Sequence, residues 1–112
     1  MSKAQIRPMK IFRRYFDMIE KGEKTIEVRV GYARMRRIKE GDTIRFFTKG
    51  SSCDSKVIRV TENSTFEEMM AAEEPAKINP HEDAESQLKA IRGIFPPEKE
   101  KLGVLVFELS EN

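Results

Sequence analysis

Apolar positions recur at helical spacing early in the chain and at strand spacing directly afterwards. Residues 10–21 place apolar side chains at i, i+3, i+4 and i+7, which predicts one buried face of a helix. These positions are Phe12, Tyr15, Phe16 and Ile19. Gly22 then supplies the residue type favoured for a left-handed helix C-cap. Residues 25–30 alternate polar and apolar types, which predicts a strand that buries Ile26, Val28 and Val30.

The remaining pattern predicts three more strands and two more helices, besides a short strand or arm over residues 1–8 that ends at Pro8. Residues 43–48 and 56–61 read as a hairpin around a loop at 49–54, and residues 103–109 read as a last strand. That strand is apolar on both faces, which indicates a central position. One helix follows Asn63 and ends at Pro75. Its cap is either Ser64 with Glu67 or Thr65 with Glu68. Another helix covers residues 82–92 and is capped by Gly93. The pattern predicts an α+β domain built on a small twisted antiparallel barrel with inserted helices.

Length and composition indicate one domain over residues 1–112, with a modest core. Cys53 is the only cysteine and His81 the only histidine, so neither a disulfide nor a recognisable metal-ligand spacing is available. We therefore expect no metal and no cofactor. No apolar run approaches membrane-spanning length and the N-terminus lacks a signal sequence, so we expect a cytoplasmic protein without a membrane partner.

Charge is distributed unevenly along the chain although the formal net charge is only +2. The first 40 residues carry 12 Lys or Arg and five acids, whereas residues 62–85 carry eight acids and one Lys. Arg34, Arg36 and Arg37 stand around Met35 in a short basic turn. They form either a solvated surface or a patch that contacts the phosphates of a nucleic-acid backbone.

The turn into the alternating strand groups residue types that can do chemistry. Lys24, Thr25, Glu27 and Arg29 bring a base, a hydroxyl, an acid and a second base within six residues. The polar face of a strand carries such residues for solvation alone, but a Lys beside a Glu and an Arg in a cleft also suits a phosphate or a base edge. A carboxylate and a desolvated Lys can equally take part in hydrolysis.

The motif around this turn resembles the ASCH domain (activating signal cointegrator homology) of the PUA-like superfamily, in its small single-domain prokaryotic form. The matching positions are Phe16, Ile19, Gly22, Lys24, Thr25, Ile26, Glu27 and Arg29, followed by Lys39, Gly41, Asp42, Ile44 and Phe46. The resemblance covers nearly the whole chain. It implies a barrel with a cleft over the Lys-x-x-Glu-x-Arg strand and a ligand that is RNA or nucleotide-like.

One branch of that superfamily hydrolyses acetylcytidine with a lysine base, a threonine nucleophile three residues later and a distant glutamate as proton donor. Lys24 matches the lysine, but the nucleophile position is Glu27, and Thr25 stands two residues early. The distant acid would be Glu82, Asp83 or Glu85.

Three hypotheses follow. The first is a module that binds RNA or a nucleotide through Lys24, Thr25, Glu27 and Arg29, with Arg34, Arg36 and Arg37 on the nucleic-acid backbone. The second is a small hydrolase of a modified nucleoside, or a ribonuclease, in which Lys24 and Glu27 are catalytic. The third is a domain that only binds a protein partner. Glu27 at the nucleophile position favours the first, and the sequence leaves the oligomeric state open.

Overall fold

The computed structural model describes residues 3–110, which form five strands and six helices. In chain order these are β1 Ile6–Lys10, α1 Arg13–Glu20, β2 Ile26–Val30, α2 Ala33–Arg36, β3 Thr43–Thr48, β4 Ser51–Asn63, α3 Phe66–Ala72, α4 Pro75–Ile78, α5 Ala84–Ile94, α6 Pro97–Glu100 and β5 Val104–Leu109. The α+β class is as predicted.

The strands form one mixed sheet in the order β1-β3-β4-β5-β2. The β1–β3 pair is parallel and the other three pairs are antiparallel. The predicted antiparallel barrel is therefore wrong in two respects, because one pair is parallel and the sheet does not close. β1 and β2 are its two edges.

Pro8 helps to keep the outer edge of β1 unpaired. Ile11 N–H donates to Phe47 O and Thr43 N–H donates to Gln5 O, so the odd-numbered residues of this segment face β3. Pro8 therefore faces outward, where it offers no N–H to a further strand. The outward carbonyl of Lys10 accepts a hydrogen bond from Arg29 Nη2 at 2.9 Å instead of joining a ladder. A side chain thus links the two sheet edges.

Two apolar clusters fill the two faces of the sheet. α1 covers one face with Phe16 and Ile19, and α3 covers the other with Phe66 and Met69. The predicted burial of Ile26, Val28 and Val30 is confirmed, at 2%, 9% and 0% relative exposure. The predicted central position of the last strand is also confirmed, because β5 lies between β4 and β2 and supplies side chains to both clusters.

Several local boundaries differ from the prediction for identifiable reasons. The expected loop at residues 49–54 is only a turn at Gly50, whose φ is +79°, and Cys53 lies in β4 opposite Phe46. Gly93 does not cap α5, which continues to Ile94. Pro75 does not end α3, which stops at Ala72; it begins α4, a position that suits a residue without an N–H. The cap of α3 is Thr65, whose side chain accepts from Glu68 N.

Candidate functional site at the edge of strand β2

A cavity of about 450 Å³ lies at the unpaired edge of β2. Its volume is typical of small-ligand sites. The lining residues come from both faces of the strand and are Lys10, Ile11, Phe12, Tyr15, Lys24, Glu27, Val28, Arg29, Ile78, Asn79, Glu82, Gln87, Ala90, Ile91, Ile94 and Phe95. The segment around the start of α1 forms one wall and α5 forms the opposite wall.

Lys24 is buried at the floor of this cavity, at 4% relative exposure. Its ammonium donates to Ile26 O at 2.6 Å and Ile78 O at 2.9 Å, and its Nζ lies 3.1 Å from Glu27 Oε1. An ammonium group has three N–H donors, and these three oxygens account for all of them. Burial lowers the pKa of Lys24, and the Glu27 carboxylate opposes that shift only in part.

The turn before β2 fixes the position of Lys24. Gly22 adopts a φ of +78°, the left-handed conformation that closes α1. The N–H groups of Glu23 and Lys24 then both donate to Met18 O, at 2.8 Å and 3.1 Å. The Lys24 side chain consequently folds back over the strand that follows it.

Glu27 is held between two cations. Its Oε1 faces Lys24, and its Oε2 accepts from Arg29 Nε at 2.6 Å, while the residue is only 6% exposed. Burial alone raises the pKa of this carboxyl, but Arg29 and Lys24 outweigh it and lower the pKa below its ordinary value. Glu27 is therefore ionised at neutral pH and can accept hydrogen bonds but not donate one.

Arg29 joins this buried group to the other edge of the sheet. Its Nε binds Glu27 and its Nη2 donates to Lys10 O. Nη1 makes no hydrogen bond to any of residues 3–110. Lys24, Glu27 and Arg29, which we call the charged triad, thus form one connected arrangement, and their predicted role as a ligand site stays a prediction.

Aromatic and aliphatic side chains form the walls above the triad. Phe12 is 62% exposed, and its ring centroid lies 6.4 Å from that of Tyr15. The Lys24 ammonium lies 5.7 Å from the Tyr15 centroid, which is within cation–π range. On the opposite wall Ile94 is 44% exposed. Three cationic residues line the cavity, and among them only Lys10 makes no ion pair with a carboxylate of residues 3–110.

The other candidate residues lie in different places. Thr25 is outside the cavity lining, and its N–H and C=O bond to Lys77 O and Leu109 N. Among the three candidate distant acids, Glu82 lines the cavity, whereas Asp83 caps α5 by accepting from Ser86 N at 2.8 Å. Glu85 is exposed in the first turn of α5 and does not line the cavity.

Gln87 and Asn79 line the cavity but were not predicted. Gln87 is 3% exposed, and its Nε2 lies within hydrogen-bond distance of the carbonyls of Pro75, Asn79 and Glu82. Gln87 belongs to α5, which lies opposite β2 and more than fifty residues after the Lys-x-x-Glu-x-Arg motif. A polar residue beside the apolar stripe of α5 is the only trace of it in the sequence.

The three arginines after β2 are not brought to the cavity. Arg36 makes a two-pronged ion pair with Glu62, at 2.8 Å and 2.9 Å, and also donates to Gly31 O. A Cβ on Gly31 would clash with the main-chain oxygen of Leu102, so this position requires glycine. Arg34 and Arg37 are exposed and do not line the cavity. Their contact with nucleic acid stays a prediction.

Residues 3–110 contain no group of three or more His, Cys, Asp or Glu placed to hold a metal ion. No helix in that range is both long and apolar enough to cross a membrane.

Comparison with known proteins gives the family. The family model for the ASCH domain matches residues 9–111. The chain belongs to the ASCH family. The crystal structure of hypothetical protein PH0355 is similar at 30% identity with a TM-score of 0.85, covering 96% of this chain and 99% of that one. The solution NMR structure of protein PF0455 from Pyrococcus furiosus is similar at 27% identity with a TM-score of 0.76, covering 95% and 96%. No curated protein matches the sequence.

Proposed function

We propose that this ASCH protein binds a nucleotide, free or as part of an RNA chain, in the cavity at the edge of β2. The observation that carries the proposal is the position of Glu27. An ionised carboxylate fixed between two cations lies at the floor of a cavity whose walls are aromatic and aliphatic. Such a site combines apolar contact for a base with polar groups that orient it.

The walls suit a planar ring. Phe12 is largely exposed beside Tyr15 on one side, and Ile94 faces the cavity from the other. Aromatic side chains that protrude into a cleft stack on bases of any sequence. Glu27 uses one lone pair on each oxygen for the triad, and a carboxylate accepts about four hydrogen bonds, so it retains capacity for a base N–H.

The rim suits a phosphate. The Lys10 side chain is exposed, lines the cavity and makes no ion pair with a described carboxylate. Arg29 lines the same cavity, and its Nη1 makes no hydrogen bond to any of residues 3–110. Two cationic groups at one rim favour an anionic group of the ligand at that place.

Three features favour binding over amide hydrolysis. The Lys24 ammonium already donates to three oxygens. A neutral Lys24 amine, the form that could accept a proton, has only two N–H groups and would lose one of these three hydrogen bonds. Glu27 stands at the nucleophile position and is ionised between two cations. Thr25, the threonine nearest in sequence to that position, lies outside the cavity lining. We therefore assign the triad to ligand positioning.

Isothermal titration with the four nucleoside 5′-monophosphates and with a short single-stranded RNA tests the proposal. We expect saturable binding that Lys10→Ala weakens by about tenfold, because one charge-assisted hydrogen bond to phosphate is lost. Lys101→Ala, which removes an exposed lysine outside the cavity lining, is the matched control and should bind as wild type. Absence of binding to every probe would refute the proposal.

The same protein incubated with N4-acetylcytidine separates the two functions. We expect no release of acetate. Turnover that disappears in Lys24→Met would assign the triad to catalysis and overturn the binding module.

A further inference from the structure

We propose that the main-chain N–H and C=O of Val28 form the donor–acceptor pair that reads the base in this cavity. The inference rests on the proposed function and deepens it, because it names the protein atoms that contact the base and the edge of the base that they contact. The ligand is a nucleobase that presents its Watson–Crick edge, where a hydrogen-bond donor stands next to an acceptor, to this peptide.

The strand register shows which way the Val28 peptide groups face. Leu109 N–H donates to Thr25 O at 2.8 Å, and Gly31 N–H donates to Gly103 O at 2.9 Å. In an antiparallel pair, hydrogen-bonded and non-hydrogen-bonded residues alternate. The odd-numbered residues of β2 therefore bond to β5. Val28, which stands opposite Val106, presents its N–H and C=O to the open edge.

The neighbouring outward carbonyls already have partners. Ile26 O accepts from Lys24 Nζ at 2.6 Å, and Val30 O accepts from Tyr32 N at 2.9 Å. Val28 O and Val28 N have no partner among residues 3–110, and Val28 lines the cavity. Buried peptide groups are nearly always paired, so an unpaired pair at a cavity wall indicates a ligand or ordered water there.

The cavity extends outward from the strand edge, with a wall on each face of the sheet. Phe12 and Tyr15 lie on one side, and Ile91 and Ile94 lie on the other. A flat group that hydrogen-bonds to Val28 in the direction of the sheet ladder is placed between these two walls. It therefore contacts apolar side chains on both of its faces while its edge meets the peptide.

The same observations disfavour an extended peptide as the occupant. A strand added to this edge needs the outward N–H and C=O of every second residue, at positions 26, 28 and 30. The carbonyls of Ile26 and Val30 are occupied by Lys24 and Tyr32. One free donor–acceptor pair serves a single base edge and cannot continue a ladder.

Modified nucleotides test this inference on the unaltered protein. The probes are the 5′-monophosphates of 1-deazaadenosine and 3-deazacytidine, which lack the ring acceptor, and of N1-methylguanosine and N3-methyluridine, whose ring donor is blocked. For each parent nucleotide that binds, we expect its analogue to bind about tenfold or more weakly. An analogue that binds as tightly as its parent would overturn the inference and leave the proposed function intact.

A proline pair tests the same point from the protein side. Val28→Pro removes an N–H that the ladder does not use, and Val30→Pro removes an equivalent outward N–H at a residue outside the cavity lining. Both should keep the cooperative thermal unfolding of the wild type, and only Val28→Pro should weaken binding. Equal affinity of the two folded variants would contradict the inference. If either variant does not fold, the analogue series alone decides. Failure of every parent nucleotide to bind would remove both proposals together.

Discussion

Lys24 Nζ lies 3.1 Å from Glu27 Oε1, and the two side chains are only 4% and 8% exposed. This pair, extended by Arg29, is therefore an internal charge network and not a set of surface ion pairs. Removing two or three charges from water is costly and is repaid only when every group is well bonded. The bonds to the Ile26 and Ile78 carbonyls supply part of that compensation.

The first prediction concerns stability. Glu27→Ala leaves Lys24 buried without its carboxylate, so we expect the free energy of unfolding to fall by about 3 kcal/mol or more. Asp54→Ala breaks the ion pair with Arg45, whose side chains are 47% and 42% exposed, and serves as the control with an expected loss of less than about 1 kcal/mol. Urea denaturation measures both. Equal losses would show that the triad behaves as a surface network.

The second prediction concerns pH. Burial opposes ionisation of Glu27, but Arg29 and Lys24 hold its pKa below the ordinary 4.5. A carboxyl whose pKa is lowered by folding stabilises the protein above its unfolded pKa. That contribution is lost as the pH falls from about 4.5 through the lower folded value. The carboxyl carbon resonance of Glu27 measures this directly.

Two variants control the titration. Arg29→Ala removes the nearest cation and should raise the pKa of Glu27, whereas Arg34→Ala removes an arginine outside the cavity lining and should leave it unchanged. An unshifted resonance in Arg29→Ala would mean that the ion pair does not set the ionisation of Glu27.

The sequence was informative where the signal is local. The alternation of residues 25–30 correctly predicts which side chains are buried, and the left-handed Gly22 follows from the helix end before it. The closeness of the three triad residues was predictable because they lie within six residues of one another, whereas their role in binding stays a prediction. The ASCH resemblance is likewise carried by this segment and its continuation, and the family match confirms it.

The missing parts are the non-local ones. Whether a sheet closes depends on how its two edges meet, and no pattern within β1 or β2 encodes the single contact between Arg29 and Lys10 O. The opposite wall of the cavity comes from α5, where Gln87 stands beside an ordinary apolar stripe. Burial of the triad also depends on these distant segments. From the sequence alone, the polar face of β2 therefore looks the same as a face exposed to solvent.

The third prediction concerns stacking. Phe12 protrudes at the cavity rim, so Phe12→Ala should weaken nucleotide binding by about 1–3 kcal/mol, the usual value of one base–aromatic contact. Phe47→Ala is the matched control, because Phe47 is 39% exposed and lies outside the cavity lining. Calorimetric titration measures both. A similar loss in the two variants would place the ligand elsewhere.

The fourth prediction concerns the arginines after β2. Arg34 and Arg37 are exposed, so the double alanine variant should reduce the slope of log affinity against log salt for single-stranded RNA by about 1.4, or about 0.7 per phosphate contact. Arg36 pairs with Glu62, and Arg36→Ala should chiefly lower the melting temperature. An unchanged slope in the double variant would remove these residues from the RNA contact.

A two-dimensional ¹H–¹⁵N NMR titration with the nucleoside 5′-monophosphates shows whether a nucleotide occupies the cavity at the edge of β2. We expect saturable shifts of the amide signals of Phe12, Glu27, Val28 and Arg29 together with those of α5, with a large shift for Val28. Saturable shifts confined to residues 33–37, or no shifts at millimolar nucleotide, would contradict it.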